Sequence, residues 1–196
     1  MMTNFSNHNP PDFVQFVQFH FNMNNDASLD FKSKIASKSF KKGDKIVKRG
    51  RICDKIFFLE SGLVKTLFTS DSREYIMRFF SETNIFSVLD SFIEQKPSNY
   101  EIVALEHTVV SYISYKDLQL LCVRYHEIET FYRKLLSTAV IDMMTRIGRS
   151  LEETGIVAYN KFLKNQGYLL QRISLADLAS YLGITQVSLS RIRGKN

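Results

Sequence analysis

A change of period near Ser114 constrains this chain more than any other feature. Upstream of it, apolar residues come in short segments at 40–44, 45–48, 56–59, 63–68, 75–80, 100–105 and 109–113, with turn residues such as Gly43, Gly50 and Gly62 between them. Seven or eight short strands separated in this way suggest a closed barrel or jelly roll. Downstream the spacing becomes three or four, which is the period of helix. An α+β chain built in two pieces follows, and 196 residues are enough for two small cores.

The flanks of the strand region are less uniform. Phe13, Phe16, Phe19 and Phe21 fit one face of a short helix or alternate positions of a strand, and the pattern leaves both open. The polar start through Pro10 and Pro11 has a disordered composition. Residues 28–36 predict a two-turn helix capped by Ser28, with Leu29, Phe31 and Ile35 as its apolar positions. Ser114 and Asp117 predict a capping box.

A long helix is then expected over 128–151. Ile128, Phe131, Tyr132, Leu135, Leu136, Ala139, Val140, Met143, Met144, Ile147 and Leu151 recur along it, and it would run roughly 35 Å. The stripe is wide enough to serve both its own barrel and a second copy, or else the C-terminal helices, and the pattern allows either.

The strongest local signal lies at 173–192. Ser174 with Asp177 can cap a first helix, while Leu178 and Leu182 face inward around a small Ala179. Gly183 supplies the positive φ of a tight turn, and Thr185 can cap a second helix buried through Ile184, Leu189 and Ile192. Its outward face carries Gln186, Val187, Ser188, Ser190, Arg191 and Arg193, polar and basic with no acid. Gln pairs bidentately with adenine, Arg with guanine, and Val meets a thymine methyl, so this face suits the major groove of DNA. Thr185 and Lys195 complete the candidate DNA-binding set.

Charge points the same way. The net charge is +6, and from residue 146 onward eight Lys/Arg stand against three acids, so the tail holds +5 of it. Nucleic acid is a better partner for such a tail than a membrane surface, because no basic amphipathic anchor is evident. Isolated Cys53 and Cys122, the absence of a signal-peptide pattern and the lack of a transmembrane-length apolar run place the chain in the cytoplasm. Enzyme signatures are missing: there is no phosphate-cradling Gly-rich loop, no His-Glu-x-x-His and no nucleophile elbow. Asp71 with Glu74, and Glu152 with Glu153, read as solvated faces.

The segments Phe40-Lys-Lys-Gly-Asp and Ile56-Phe-Phe-Leu-Glu-Ser-Gly-Leu-Val-Lys, followed by the long helix and the C-terminal motif, resemble the Crp/Fnr family of bacterial transcription factors. The resemblance spans about residues 28–195, and 97–106 and 179–193 are most similar to the branch common in Bacteroidetes. It implies an N-terminal extension (1–27), a cyclic-nucleotide-binding-like jelly roll or double-stranded β-helix (28–116), a dimerisation helix region (117–153) and a C-terminal winged helix-turn-helix (154–196). The implied function is transcription regulation by a homodimer on a two-fold symmetric operator, with RNA polymerase as a further partner. Any wing would come from 168–172.

Nucleotide-binding members carry Phe-Gly-Glu and Arg-Ser or Arg-Thr, where this chain has Phe86-Ser87-Val88 and Ser98-Asn99. Without the Arg a cyclic phosphate would be desolvated unpaired, so cyclic AMP bound in the usual way is not expected. The same region, with Tyr75, Phe86, Ser87, Val88, Ser98, Asn99 and Tyr100, is either an altered effector pocket or barrel core and loop. Two lone cysteines cannot hold an iron-sulfur cluster, and His107 and His126 are single histidines that need not ligate haem. No cofactor or metal is implied, and the effector is not named by the sequence. The alternative function is a ligand-binding or interaction module whose C-terminal helices dock on a protein.

Overall fold

The computed structural model describes residues 12–71 and 73–194. The polar start through Pro11 and Lys195 lie outside the described residues.

The Phe-rich segment is a helix, α1 (Phe13–Phe21), entered through a capping box: Gln15 N–H donates to Asp12 Oδ1 at 2.8 Å, and Asp12 N–H donates to Gln15 Oε1 at 3.2 Å. Phe13 and Val17, one turn apart, are fully buried. Helix α2 (Asn25–Lys34) begins four residues earlier than a Ser28 cap predicts, because Asn24 caps it and accepts Ala27 N–H at 2.8 Å. That start turns Ala27, Ser28 and Phe31 inward and leaves Leu29 exposed.

Eight strands follow: β1 (Ala36–Phe40), β2 (Lys45–Val47), β3 (Lys55–Ser61), β4 (Val64–Ser70), β5 (Arg73–Phe80), β6 (Ile85–Phe86), β7 (Glu101–Ala104) and β8 (Thr108–Ser114). They form two antiparallel sheets, in the orders β1-β8-β3-β6 and β2-β7-β4-β5, with the six-residue α3 (Leu89–Glu94) between β6 and β7. This is the roll that the turn spacing predicts. Residues 41–44 form a turn rather than strand.

Burial explains why the strands read as unbroken apolar runs. In β3, Phe57 and Leu59 face the roll interior with Val64, Phe86, Ile102 and Val110, whereas Ile56 and Phe58 face outward into a cluster with Phe13, Phe31, Phe92, Leu118 and Phe131. In β4, Val64 faces inward, while Leu67 and the preceding Leu63 join Leu178, Ala179 and Leu189 on the opposite side. Both sheets therefore have helices on their outer faces, and strands dry on both faces lose the period-two alternation.

Ser114 opens α4 (Tyr115–Arg124) by accepting Asp117 N–H at 3.1 Å. The reciprocal half of the expected capping box is replaced by a Ser114 hydroxyl bond to the Asp117 carboxylate. Helix α5 (His126–Glu152) has 27 residues, about 40 Å of rise. Its first half is seated, with Ile128 and Phe131 fully buried; the apolar stripe of its second half is not, since Val140, Ile141, Met143, Met144, Ile147 and Leu151 are each more than half exposed. Helix α6 (Gly155–Gln166), a 3-10 turn (Gly167–Gln171), α7 (Leu175–Tyr181) and α8 (Gln186–Arg193) complete the chain. The expected wing at 168–172 is that 3-10 turn, and the region after 154 contains no strand among the described residues. Leu169 buries in the shared core and Tyr168 Oη meets Ser81 Oγ at 3.1 Å, so the segment docks on the roll instead of forming a hairpin.

Candidate nucleic-acid interface and ligand cavity

Each local device read from 173–192 is present. Ser174 accepts Asp177 N–H at 3.0 Å, Thr185 accepts Ser188 N–H at 3.1 Å, and Gly183 turns the chain at φ +70°. Leu178, Ala179 and Leu189 are buried, with Leu182, Ile184 and Ile192 packed against them. Gly155, at the start of α6, lies so near the turn between α7 and α8 that a Cβ there would sit 2.9 Å from Ile184 Cγ2, and 3.7 Å from Ile192 Cδ1 of α8. The face left outward carries Thr185, Gln186, Val187, Ser188, Ser190, Arg191 and Arg193, all exposed.

The basic tail is less free than its composition suggests. Arg172 Nη1 and Nη2 reach the two carboxylate oxygens of Glu82 at 3.0 and 2.7 Å, and the same guanidinium also binds Glu106. Lys161 pairs with Glu153, whose side chain is nearly enclosed and not the solvated acid expected. Arg146 stacks over Tyr181 at 4.6 Å and donates to Ile76 O at 3.2 Å, and burial pulls its pKa down. Arg149, Lys164, Arg191 and Arg193 remain exposed and pair with no described carboxylate.

These contacts fasten the C-terminal helices to the sheet containing β4 and β5. Lys65 Nζ donates to Asp177 Oδ1 at 2.7 Å and to Glu74 Oε2 at 3.4 Å. Ser180 Oγ accepts Ile76 N–H at 3.1 Å and donates to Glu74 O at 2.9 Å. No short-range pattern points to Arg172, Glu82, Glu106, Ser180 or Arg146, because the contacts that join them across to the roll or to the helices span 66 to 106 residues.

Residues 37–125 match the sequence family described as the cyclic nucleotide-binding domain. Solved structures agree: FixK2 from Bradyrhizobium japonicum superposes with TM-score 0.70 at 18% identity, covering 82% of this chain and 83% of that one. The c-di-GMP responsive global regulator CLP from Xanthomonas campestris gives 0.68 at 17%, covering 88% and 91%. A protein described as a Crp/Fnr-family transcriptional regulator from Eubacterium rectale gives 0.69 at 17%, covering 89% and 83%. The roll has the cyclic nucleotide-binding fold. No curated protein matches the chain in sequence.

Within this cyclic-nucleotide-binding-like roll, the expected effector residues are dispersed. Val88 and Ser98 are buried, and Ser98 spends its hydroxyl on the Tyr100 backbone, accepting N–H and donating to O at 2.9 Å each. Tyr75 stacks on Phe68 at 5.1 Å, and Tyr100 meets Phe68 edge-on at 6.0 Å. Asn99 is exposed. Phe57, Phe80 and Phe86 stack at 5.3 and 5.4 Å and fill the roll interior.

Of the seven, Phe86 and Ser87 line a cavity, a cleft of about 580 Å³ bounded by β5, β6, the middle of α5 and α1. Its lip is the 81–84 turn, where Thr83 takes φ +64°. Left-handed backbone costs a residue with a Cβ roughly 1–2 kcal/mol. Thr66, opposite Arg78 in the β4–β5 ladder, has a buried hydroxyl with no hydrogen-bond partner among the described residues. His107 and His126 lie away from the cleft and are exposed. Burial raises the Cys122 thiol to about 11, with Glu129 adding to the rise. Among the described residues no cluster of metal-ligating side chains occurs and no helix is long and apolar enough to cross a membrane.

Proposed function

We propose that this chain is a cytoplasmic transcription regulator that binds double-stranded DNA as a homodimer. The observation that carries the reading is the outward face of α8. It is polar and basic, holds no acid, is exposed and stands on a capped helix pair turned at Gly183. In this reading α7 and α8 are a helix-turn-helix, with Gln186, Val187 and Arg191 on base edges and Thr185, Ser188, Ser190, Arg193 and Lys195 on the backbone. Arg149 and Lys164 add long-range attraction to phosphate.

The exposed second half of α5 supports the dimer, because apolar positions at helical spacing from Val140 to Leu151 would otherwise stay in water. Two copies joined there present two α8 helices to the half-sites of a symmetric operator. The likeness of the fold to a Crp/Fnr-family regulator supports the assignment, and membership of the Bacteroidetes-like branch is part of the same proposal. Transcription then changes by contact with, or obstruction of, RNA polymerase. The roll is the sensing domain, without the usual cradle for cyclic AMP.

The test is binding of the purified chain to genomic fragments, its own promoter among them, over a salt series with and without cyclic AMP. Selective binding to a two-fold symmetric site without nucleotide is the expected result. A nucleotide requirement would overturn the reading of Val88 and Ser98, and no specific binding at any salt would favour a protein-docking role for α7 and α8.

A further inference from the structure

The cleft beside α5 has the chemistry of a particular ligand class. Phe16 and Phe21 of α1, Phe80 and Phe86 of the roll, and Phe131 of α5 wall it. At about 580 Å³ it falls in the range, roughly 300–1,000 Å³, that encloses small organic ligands. Its charged groups do not balance. Arg78 and Asp142 neutralise each other at 2.7 Å, whereas Lys134, standing over the Phe21 ring at 5.7 Å, has no carboxylate within ion-pair distance among the described residues.

One unpaired monovalent cation beside an aromatic wall matches one monovalent anion on an apolar body. A phosphate group, the monoanionic cyclic diester included, would call for the donor fork or backbone cradle that this roll lacks at Val88 and Ser98. We propose that the cleft binds an amphipathic monocarboxylate, with the tail among the phenylalanines and the carboxylate on Lys134. The inference deepens the reading of the roll as a sensor and rests on it. It also assigns a role to α1, which supplies two of the walls.

The site has a direct route to the C-terminal helices. Thr83 and Asn84 line the cleft, and the adjacent Glu82 holds Arg172. A ligand that moves the 81–84 turn therefore moves the anchor of the C-terminal unit.

Decanoate below its micellar concentration is the probe, with 1-decanol, decyltrimethylammonium and cyclic AMP as comparisons, read by calorimetric titration and thermal shift on the full chain without DNA. Decanoate is expected to bind at least tenfold more tightly than decanol and to exclude the ammonium compound. Lys134→Met should reduce decanoate to the decanol level, Lys134→Arg should retain the preference, and Ala139→Phe should remove binding of both while melting cooperatively. Equal affinity for all three head groups, tighter binding of cyclic AMP, or an unaltered preference in Lys134→Met would overturn the proposal. So would absence of binding with the cleft residues shielded on self-association, which would assign the groove to a second copy. Because these readouts need no DNA, they stand or fall separately from the DNA-binding test; a change in DNA affinity with decanoate would join the two.

Discussion

Arg172 lies across Glu82 as a bidentate pair, Nη1 at 3.0 Å and Nη2 at 2.7 Å, and the same Glu82 accepts Gly62 N–H at 3.0 Å. One carboxylate thus ties the 3-10 turn before α7 to the hairpin between β3 and β4. Replacing Arg172 with Ala leaves two acids facing one another and is expected to cost about 2 kcal/mol, the scale of a lost charged hydrogen bond. The check is a denaturant melt together with proteolysis at 167–173, which should become accessible. Resistance to cleavage equal to the parent chain would show that the shared apolar core alone holds the docking.

The pair also sets a pH dependence. Burial by itself would raise the Glu82 carboxyl, but the Arg172 hydrogen bond, bonds from backbone N–H groups and the guanidinium charge together hold it below its ordinary 4.5. A carboxyl with a depressed folded pKa contributes its stability in full above the unfolded value and loses it as pH falls through the folded value. Docking should therefore be insensitive to pH from neutrality to about 5 and weaken below 4.5. Glu82→Gln should flatten that acid limb in a pH series of thermal melts; an unaltered limb would place the titration elsewhere.

At α8, Arg191→Ala is expected to remove discrimination between operator and random DNA. Lys195→Ala should instead weaken all sequences modestly and lower the salt slope by about one. Equal, sequence-independent losses in a binding series at several salt concentrations would mean that α8 does not read bases.

On α5, Ile147→Asp places a charge in the exposed apolar run. Sedimentation should show a dimer for the parent chain and a monomer for the variant, with the melt of the roll unchanged because Ile147 lies beyond the buried half of the helix. A dimer that survives the substitution would move the interface off this face.

Gly62 tests the hairpin under Glu82. Its φ is +104°, and a Cβ there would meet Thr108 Oγ1 at 2.6 Å and His107 O at 2.7 Å, so backbone as well as side chain must give. Gly62→Ala is expected to cost more than about 2 kcal/mol by overpacking and strain, measured in urea. Thr66→Val provides the opposite case: removing an unpartnered buried hydroxyl should be neutral or stabilising.

What could be read from sequence was what is decided within a turn or two of chain. Ser174, Gly183 and Thr185 act on neighbours three residues away or less, so their roles were visible without any fold. The roll was visible through the spacing of its turns, yet the two-residue β6 was not, because Ile85-Phe86 has no period of its own. The start of α2 is not readable locally, because Asn24 and Ser28 are equally good caps and only packing of Phe31 against Phe13 and Phe131 favours the earlier one. By sequence Arg172 belongs to the basic tail; its partners at Glu82 and Glu106 become neighbours only once the roll closes. The cleft is likewise a product of three distant segments, and only Phe86 and Ser87 of its lining stood among the residues the sequence singled out.

Ser180 has a consequence for handling as well as for regulation. Strand β5 is the outer strand of its sheet, and the Ser180 hydroxyl takes the Ile76 N–H and gives its proton to Glu74 O, as a neighbouring strand would. Whatever swings α7 away from the roll uncovers a sheet edge with an unpaired donor and acceptor, the template on which foreign strands add. The released state of this chain is therefore the sticky one, and a partner or a second copy that captures it does so in competition with aggregation.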